Sequence, residues 1–176
     1  TALYVSEVVK AMKEAKIGST LKHFPGYGDN VDTHEEIAMD NRGLSEFETI
    51  DFLPFVAGIE AGADSILVSH NMVGSMDAEY PSSISIKVHN ILREDLKFNG
   101  VIMTDDLGME GIKQYSGDQT IAVLAVQAGN DMIISTDYET QIAEIIQAVH
   151  DGTIEETRIN QSVKRILIWK RNLGLL

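Results

Sequence analysis

A polar loop holds the first residues of this chain that could carry out acid–base chemistry. The loop spans residues 22–34, which read KHFPGYGDNVDTH and follow a short apolar run. Asp32 and His34 are two positions apart, so their side chains share one side if the segment is extended. A carboxylate beside an imidazole fixes the tautomer of the ring and raises its basicity. The pair is therefore a candidate for general acid–base catalysis.

Two other interpretations of the loop remain open on the pattern alone. The first is a polar surface turn whose histidines have no chemical role. The second is a metal site formed by His23, Asp32 and His34, although their spacing matches no standard zinc motif.

A pair of carboxylates, Asp105 and Asp106, follows the apolar run at residues 101–103. Neighbouring residues of a strand point to opposite faces, so only one of the two can face the centre of a barrel. A carboxylate at the carboxyl end of a parallel strand is typical of a catalytic residue. The other one, with Asp106 as the better candidate, would cap the following helix. His70 ends another apolar run and would either line the same site or be a satisfied buried histidine.

The elements that must position these residues repeat four times along the chain. Each repeat has a helix-like stretch, a hinge, a short apolar run and a polar cluster. The predicted helices are residues 2–16, 46–61, 86–96 and 120–128, the predicted strands are 19–21, 65–68, 100–103 and 132–134, a helical pattern follows the last strand at 142–149, and a closing helix lies in 155–176. Apolar runs that alternate with helices predict an α/β fold with a buried parallel sheet. A doubly wound sheet and a barrel both fit this pattern.

The composition excludes several classes of function. The chain has 176 residues, which suit one domain, and a formal net charge of −13. Such a charge disfavours nucleic acid and anionic membranes as partners, because phosphate binding relies on clustered basic side chains. The absence of cysteine excludes disulfides, thiolate nucleophiles and cysteine-based zinc sites. No apolar run approaches the roughly 20 residues that cross a bilayer.

Three segments carry a resemblance to a known family. Residues 22–34 resemble the K-H-F-P-G-H-G…D-x-H signature of the β-N-acetylglucosaminidases of glycoside hydrolase family 3, with Tyr27 in place of the second histidine. Residues 100–109 (GVIMTDDLGM) and 81–85 (PSSIS) are similar to two further segments of that branch. The resemblance implies a (β/α)8 TIM barrel. Residues 1–176 would be the C-terminal half of its catalytic domain, with about the last four βα units.

The resemblance also implies roles for the candidate residues. Asp105 would be the catalytic nucleophile of a retaining hydrolase, and His34 would be the acid/base, with Asp32 orienting its ring. Asp106 stands where the β-glucosidases of the family carry tryptophan, which favours the N-acetylglucosaminidase branch. The substrate implied is a terminal β-linked N-acetylglucosamine on a muropeptide or chitin fragment, and no metal or organic cofactor is needed.

The resemblance implies that the sugar pocket is formed partly by residues of this chain and partly by residues of the other half of the barrel. Lys22 and His23 would bind sugar hydroxyls, and His70 is a further candidate because of its place at a strand end. The first four βα units of the family's barrel supply an acidic residue and an arginine. The isolated chain is therefore expected to be inactive and to need an N-terminal half-barrel or a second copy of itself.

Alternatives from other classes stay open. One is a non-catalytic half-barrel module that acts only by completing a partner chain. Others are a family 3 enzyme of the β-glucosidase or phosphorolytic type, and an unrelated barrel enzyme such as an aldolase. The scarcity of strand-end lysines other than Lys22 argues against the aldolase.

Overall fold

The computed structural model describes residues 1–28, 37–117 and 119–176, and its centre is a parallel sheet. The strands of the described part are β1 (Thr20–Phe24), β2 (Met39–Asp40), β3 (Ser65–Val68), β4 (Met72–Val73), β5 (Val101–Asp106) and β6 (Met132–Ile134). Strands β1, β3, β5 and β6 form the four-stranded sheet in that order. A separate parallel ladder pairs β2 with β4. The predicted α/β class with a parallel sheet is confirmed.

Helices connect the strands of the sheet. They are α1 (Ala2–Glu14), α2 (Leu44–Glu46), α3 (Phe52–Ala61), α4 (Ile86–Asn90), α5 (Glu110–Lys113), α6 (Ile121–Ala128), α7 (Tyr138–His150) and α8 (Glu156–Asn172). Two π-helical turns, Phe47–Asp51 and Ile91–Asp95, join α2 to α3 and extend α4. Each predicted helix and strand is present. The β2–β4 ladder and α5 were not predicted, because elements of two to four residues carry no measurable periodicity.

Strands β1 and β5 extend further than the apolar pattern indicated. Strand β1 continues through Lys22 and His23, and β5 continues through Asp105 and Asp106. Sheet pairing uses backbone groups, so polar side chains at a strand end do not interrupt it. The candidate residues of both strands are therefore held by the sheet and not by flanking loops.

The two faces of the sheet have different neighbours. One face points toward α1, α3 and α4. Its side chains belong to the largest apolar cluster, to which these three helices contribute. In β3 and β5 these side chains are Ile66, Val68 and Ile102. The opposite face, which we call the inner face, carries Leu67, Val101 and Met103, and α8 contacts them through Ile166 and Trp169.

The sheet has an open apolar edge at β6. Met132 and Ile134 are 38% and 40% exposed, whereas Ile133 between them packs against helix residues. In the described part of the chain β6 pairs only with β5, and β1 only with β3. Closing a barrel would require further strands at both edges. The architecture is therefore that of an open half-barrel.

A buried carboxylate ties α8 to the sheet. Asp131, directly before β6, has a fully buried side chain and lies 2.6 Å from Arg93, 3.0 Å from Arg165 and 3.5 Å from Arg158. It also accepts a hydrogen bond from the backbone N–H of Ile102 at 3.1 Å. Burial lowers the pKa of Arg93 to about 10, although the charge of Asp131 opposes this effect. Asp131 therefore compensates guanidinium groups from two separate helical segments.

A second buried carboxylate, Asp77, supports the start of α4. It accepts hydrogen bonds from the Ser85 hydroxyl at 2.7 Å, from the Glu79 N–H at 3.1 Å and from Lys87 Nζ at 3.1 Å. The Ser85 oxygen in turn accepts from the N–H of Val88 and caps α4. Burial alone would raise the pKa of Asp77, but the three hydrogen bonds outweigh it and lower the pKa below its ordinary value.

We expect Asp77→Asn to lower the free energy of unfolding at pH 7 by about 1–3 kcal/mol, because it weakens a buried acceptor of several donors. The lowered pKa gives the stabilisation a pH dependence. It is fully present above the unfolded carboxyl pKa of about 3.9 and is lost as the pH falls through the lower native pKa. Urea denaturation of both proteins at pH 7 and pH 3 measures the change. The control is Glu79→Gln at an exposed neighbouring carboxylate. An equal difference at both pH values would contradict this expectation.

Candidate active site

Strand β1 carries two of the candidate sugar-binding residues. Lys22 is exposed and His23 is half-buried, and the ring of His23 contacts that of Tyr27 edge to face at 5.5 Å between centroids. The hydroxyl of Thr20 lies 2.7 Å from that of Ser65, which alternates with the helix-facing residue Ile66. Thr20 therefore lies on the inner face. Lys22 and His23 lie between Leu21 and Phe24, which both belong to the helix-facing cluster, at an irregularity of the β1–β3 pairing near the carboxyl end of the sheet.

The predicted acid/base residues, Asp32 and His34, belong to residues 29–36, which lie outside the described part of the chain. Their role stays a prediction. The two flanks of this segment both contact Arg42. Asp40 accepts a hydrogen bond from Arg42 Nη2 at 2.8 Å, and a Cβ on Gly28 would meet Arg42 Cζ at 2.8 Å. Gly28 also has a φ of +53°, so glycine suits this close approach for two reasons.

Asp106 uses its side chain to bind backbone groups. Its carboxylate accepts hydrogen bonds from the N–H groups of Gly108 at 2.8 Å and Thr136 at 2.9 Å. Partial burial alone would raise the pKa of Asp106, but these bonds outweigh it and lower the pKa. The residue joins the end of β5 to the segment after β6. The expected helix cap is not formed, since α5 begins after Met109.

Asp105 lies on the inner face of the sheet. It alternates with Val101 and Met103, which carry the inner-face cluster of β5, it is half-buried, and it lies where the pairing of β5 with β6 shifts register. One carboxylate oxygen, Oδ1, accepts a hydrogen bond from the N–H of Asp106 at 2.9 Å. Strand alternation and the bonded side chain of Asp106 together indicate that Asp105 is the member of the pair that faces the centre of a barrel, which is the orientation that a nucleophile needs. Its catalytic role stays a prediction.

His70 is fully buried, and both of its ring nitrogens have partners within the chain. Nδ1 lies 2.7 Å from the hydroxyl of Ser83, and Nε2 lies 3.0 Å from the carbonyl oxygen of Asp106. Burial lowers the pKa of His70, although the Asp106 carbonyl and the charges of Asp105 and Asp106 oppose this. The ring is therefore neutral at pH 7. Its predicted contact with a sugar would require the ring to give up one of these hydrogen bonds.

Four polar residues around the site were missed by the sequence interpretation: Ser69, Asn71, Ser83 and Arg42. Ser69 and Asn71 flank His70 at the end of β3 and are fully buried. The run SHN directly after a buried strand was the available signal, because polar residues at strand ends tend to face the functional edge. Arg42 bonds to Asp40, two residues before it, and to Asp51, nine residues after it on the π-helical turn, so only the first of these contacts is local in the sequence.

Two further features concern metals and membranes. Within residues 1–28, 37–117 and 119–176, no group of three or more His, Cys, Asp or Glu side chains could hold a metal ion. The metal site considered for His23, Asp32 and His34 falls mostly outside those residues. Over the same described ranges, no helix combines the length and the apolar character that crossing a membrane requires.

Parallel strands joined by helices and paired in chain order, with ionisable side chains at their carboxyl ends, are typical of a domain of the α/β barrel class. Four βα units of such a domain are present. The sequence profile described as "Glycosyl hydrolase family 3 N terminal domain" matches residues 1–168. The chain therefore belongs to glycosyl hydrolase family 3, as its motifs predicted.

Similar proteins agree with this assignment. A protein named beta-hexosaminidase from Xanthomonas campestris pv. campestris (strain B100) is 36% identical over 154 residues, which cover 87% of this chain and 46% of that protein. A solved glycoside hydrolase family 3 beta-N-acetylglucosaminidase from Paenibacillus sp. str. FPU-7 has a TM-score of 0.89 at 32% identity, over 97% of this chain and 34% of the other. A solved beta-glucoside phosphorylase has a TM-score of 0.89 at 26% identity, and the match covers 97% of this chain and 33% of the other.

The chain spans about half the length of the curated relatives that it matches. The open edges of its sheet are consistent with half of a barrel, because a TIM barrel has eight strands and the sheet here has four. The predicted fold, a partial TIM barrel of family 3, is confirmed.

Proposed function

We propose that the protein carrying this chain is a retaining glycoside hydrolase that releases terminal β-linked N-acetylglucosamine. The observation that carries the proposal is the position of Asp105, a carboxylate on the inner face at the end of β5 in a family 3 chain. The names of the relatives, beta-hexosaminidase and beta-N-acetylglucosaminidase, support the choice of sugar. A muropeptide or chitin fragment is the substrate class proposed.

The reaction proposed is a double displacement. Asp105 attacks the anomeric carbon while protonated His34 gives its proton to the departing glycosidic oxygen, which leaves a covalent glycosyl-enzyme. Neutral His34 then takes a proton from water as that water attacks the same carbon and releases Asp105. Asp32 would hold the imidazole in one tautomer. An unperturbed histidine pKa of about 6.5 suits both proton transfers near neutral pH.

The geometry of the described residues supports a sugar site between β1 and β5. These strands flank β3, and neighbouring strands lie about 4.8 Å apart, so their ends are separated by about 10 Å. A pyranose ring fits this width. Lys22 and His23 would bind its hydroxyls from β1 while Asp105 faces the anomeric carbon from β5. This route uses neither a metal nor an organic cofactor.

A complete pocket is proposed to need a further half-barrel. Strands β1 and β6 each pair on one side only in the described residues, and the apolar side chains Met132 and Ile134 lie exposed at one edge. An N-terminal half-barrel, or a second copy of this chain, would cover both edges and complete the ring. We propose that the 176-residue chain alone lacks turnover for this reason.

A second candidate function is phosphorolysis by the same site. A neutral imidazole does not repel an anionic acceptor as a carboxylate would, and one structurally similar protein is a beta-glucoside phosphorylase. The reaction would then transfer the sugar from Asp105 to phosphate and yield a sugar 1-phosphate. A non-catalytic role, in which the half-barrel only completes a partner, is the remaining alternative.

We expect the whole protein to release the β-anomer of N-acetylglucosamine first, because two inversions at one carbon give net retention. Proton NMR of the product of an aryl β-N-acetylglucosaminide, recorded before mutarotation, measures the anomer. The same reaction with added inorganic phosphate is the control for phosphorolysis. Initial release of the α-anomer would contradict the double-displacement mechanism. A sugar 1-phosphate as the main product would favour phosphorolysis, the second candidate function.

A further inference from the structure

Three consecutive polar side chains at the end of β3 are completely buried, and each bonds to the end of a neighbouring strand. Ser69 donates from its backbone N–H to the carbonyl of Phe24 at 2.9 Å, at the end of β1, and its hydroxyl lies 3.1 Å from the same carbonyl and 2.5 Å from Asn71 Oδ1. Asn71 donates from Nδ2 to the carbonyl of Gly26 at 3.2 Å, two residues further along. His70, between them, bonds in the opposite direction, toward β5. The segment therefore connects both strands that carry proposed active-site residues.

The hydrogen bonds of His70 define its tautomer. The carbonyl oxygen of Asp106 can only accept, so Nε2 carries the proton and donates it over 3.0 Å. Nδ1 is then an acceptor, and the Ser83 hydroxyl donates to it over 2.7 Å. Ser83 is itself held, since its carbonyl accepts from Asn130 Nδ2 at 2.7 Å. The ring is thus fixed from both sides.

The backbone of Asp106 connects this ring to Asp105. The carbonyl of Asp106 accepts from His70, and its N–H donates to Asp105 Oδ1 at 2.9 Å. The position of residue 106 therefore determines where the Asp105 carboxylate points. Its side chain is fixed as well, by the N–H groups of Gly108 and Thr136.

We propose that His70 is a positioning residue that aims Asp105 at the anomeric carbon, and that it does not contact the sugar. The inference rests on the proposed function, because it takes Asp105 as the nucleophile. A histidine protonated at Nε2 suits this task, since loss of that proton would break the bond to the Asp106 carbonyl, which can only accept. The lowering of its pKa by burial keeps it neutral at pH 7.

The test compares kcat with sugar affinity in the whole protein. His70→Ala should lower kcat on an aryl β-N-acetylglucosaminide by about 10- to 100-fold, because misplacement of a reacting group by about 1 Å can cost 10²-fold. The inhibition constant of N-acetylglucosamine should stay within about twofold, since no sugar contact is lost. His70→Gln keeps an N–H donor near the Asp106 carbonyl and should recover part of kcat. Ser83→Ala frees the ring on its other side and should lower kcat less than His70→Ala.

His89→Gln is the matched control. His89 is also a buried histidine, and its Nδ1 donates to the carbonyl of Ser85 at 2.8 Å, within α4 and away from β5. A merely structural role would make the two histidine variants alike, with lowered stability and normal kcat in the folded fraction. Asp105→Ala in the same assay tests the proposed function separately.

The outcomes separate the hypotheses. A large rise in the inhibition constant of N-acetylglucosamine in His70→Gln would show a sugar contact and overturn the positioning role. Normal kcat in both His70→Gln and Ser83→Ala, with Asp105→Ala inactive, would overturn the inference and leave the proposed function intact. Full turnover by Asp105→Ala would overturn both, since His70 would then have no nucleophile to position. If His70→Ala does not fold, the Gln and Ser83 variants decide.

Discussion

Asp105→Ala is expected to lower the turnover of an aryl β-N-acetylglucosaminide by about four to six orders of magnitude, as removal of a nucleophile does in other covalent mechanisms. The reason is that no other carboxylate can replace it from the same strand. Asp106 next to it is on the opposite face and is bonded to Gly108 and Thr136. The measurement is the initial rate in the whole protein, with active-site concentration corrected for the folded fraction.

Azide provides a positive readout for the same variant. A small anion can occupy the space left by the carboxylate and attack an activated substrate, which would give a glycosyl azide of inverted configuration. The matched control is Asp106→Asn, which should cost stability but retain turnover within about tenfold, because it keeps the side-chain shape and one acceptor oxygen. Retained turnover in Asp105→Ala, with no azide product, would exclude Asp105 as the nucleophile.

Asp131→Ala is expected to destabilise the fold by about 3–5 kcal/mol, the range found when one partner of a buried ion pair is removed. The substitution would leave Arg93, Arg158 and Arg165 facing one another without their shared carboxylate. It would also remove the acceptor of the Ile102 N–H, in the middle of the sheet. Each of these losses lowers the free energy of unfolding.

Urea denaturation is the suitable measurement, because guanidinium chloride would screen the charges under study. Asp131→Asn should cost less than Asp131→Ala, since it retains an oxygen acceptor for the Ile102 N–H. Glu94→Ala, at an exposed carboxylate next to Arg93, is the control and should change stability by less than about 0.5 kcal/mol. A loss below about 1 kcal/mol for Asp131→Ala would mean that the arginines find solvent or other partners, and that the cluster contributes little.

The order and type of the elements follow from the sequence. Residues 65–68 and 132–134 were predicted as strands and were found with those bounds, because short apolar runs have few alternatives to burial in a parallel sheet. The glycines after α3 and α6, Gly62 and Gly129, have φ values of +92° and +125°, which side chains with a Cβ rarely adopt. The motifs also identified the family, which the profile match confirmed.

The surroundings of the candidate residues depended on the tertiary structure. The sequence predicted that one member of the carboxylate pair faces inward and that Asp106 caps the following helix. The structure instead joins Asp106 to Thr136, 30 residues later in the chain. In the same way His70 meets Ser83 and Asp106, 13 and 36 residues away. No local spacing encodes these partners.

The physical reason is the range of the interactions involved. Helix and strand formation respond to the period of apolar residues within a window of a few turns, so the sequence by itself determined the α/β order and the strand that carries Asp105. Hydrogen bonds between polar side chains and distant carbonyls arise only when the sheet brings strand ends together. For that reason the tertiary structure alone decided that His70, Ser69 and Asn71 are buried acceptors and donors between β1 and β5.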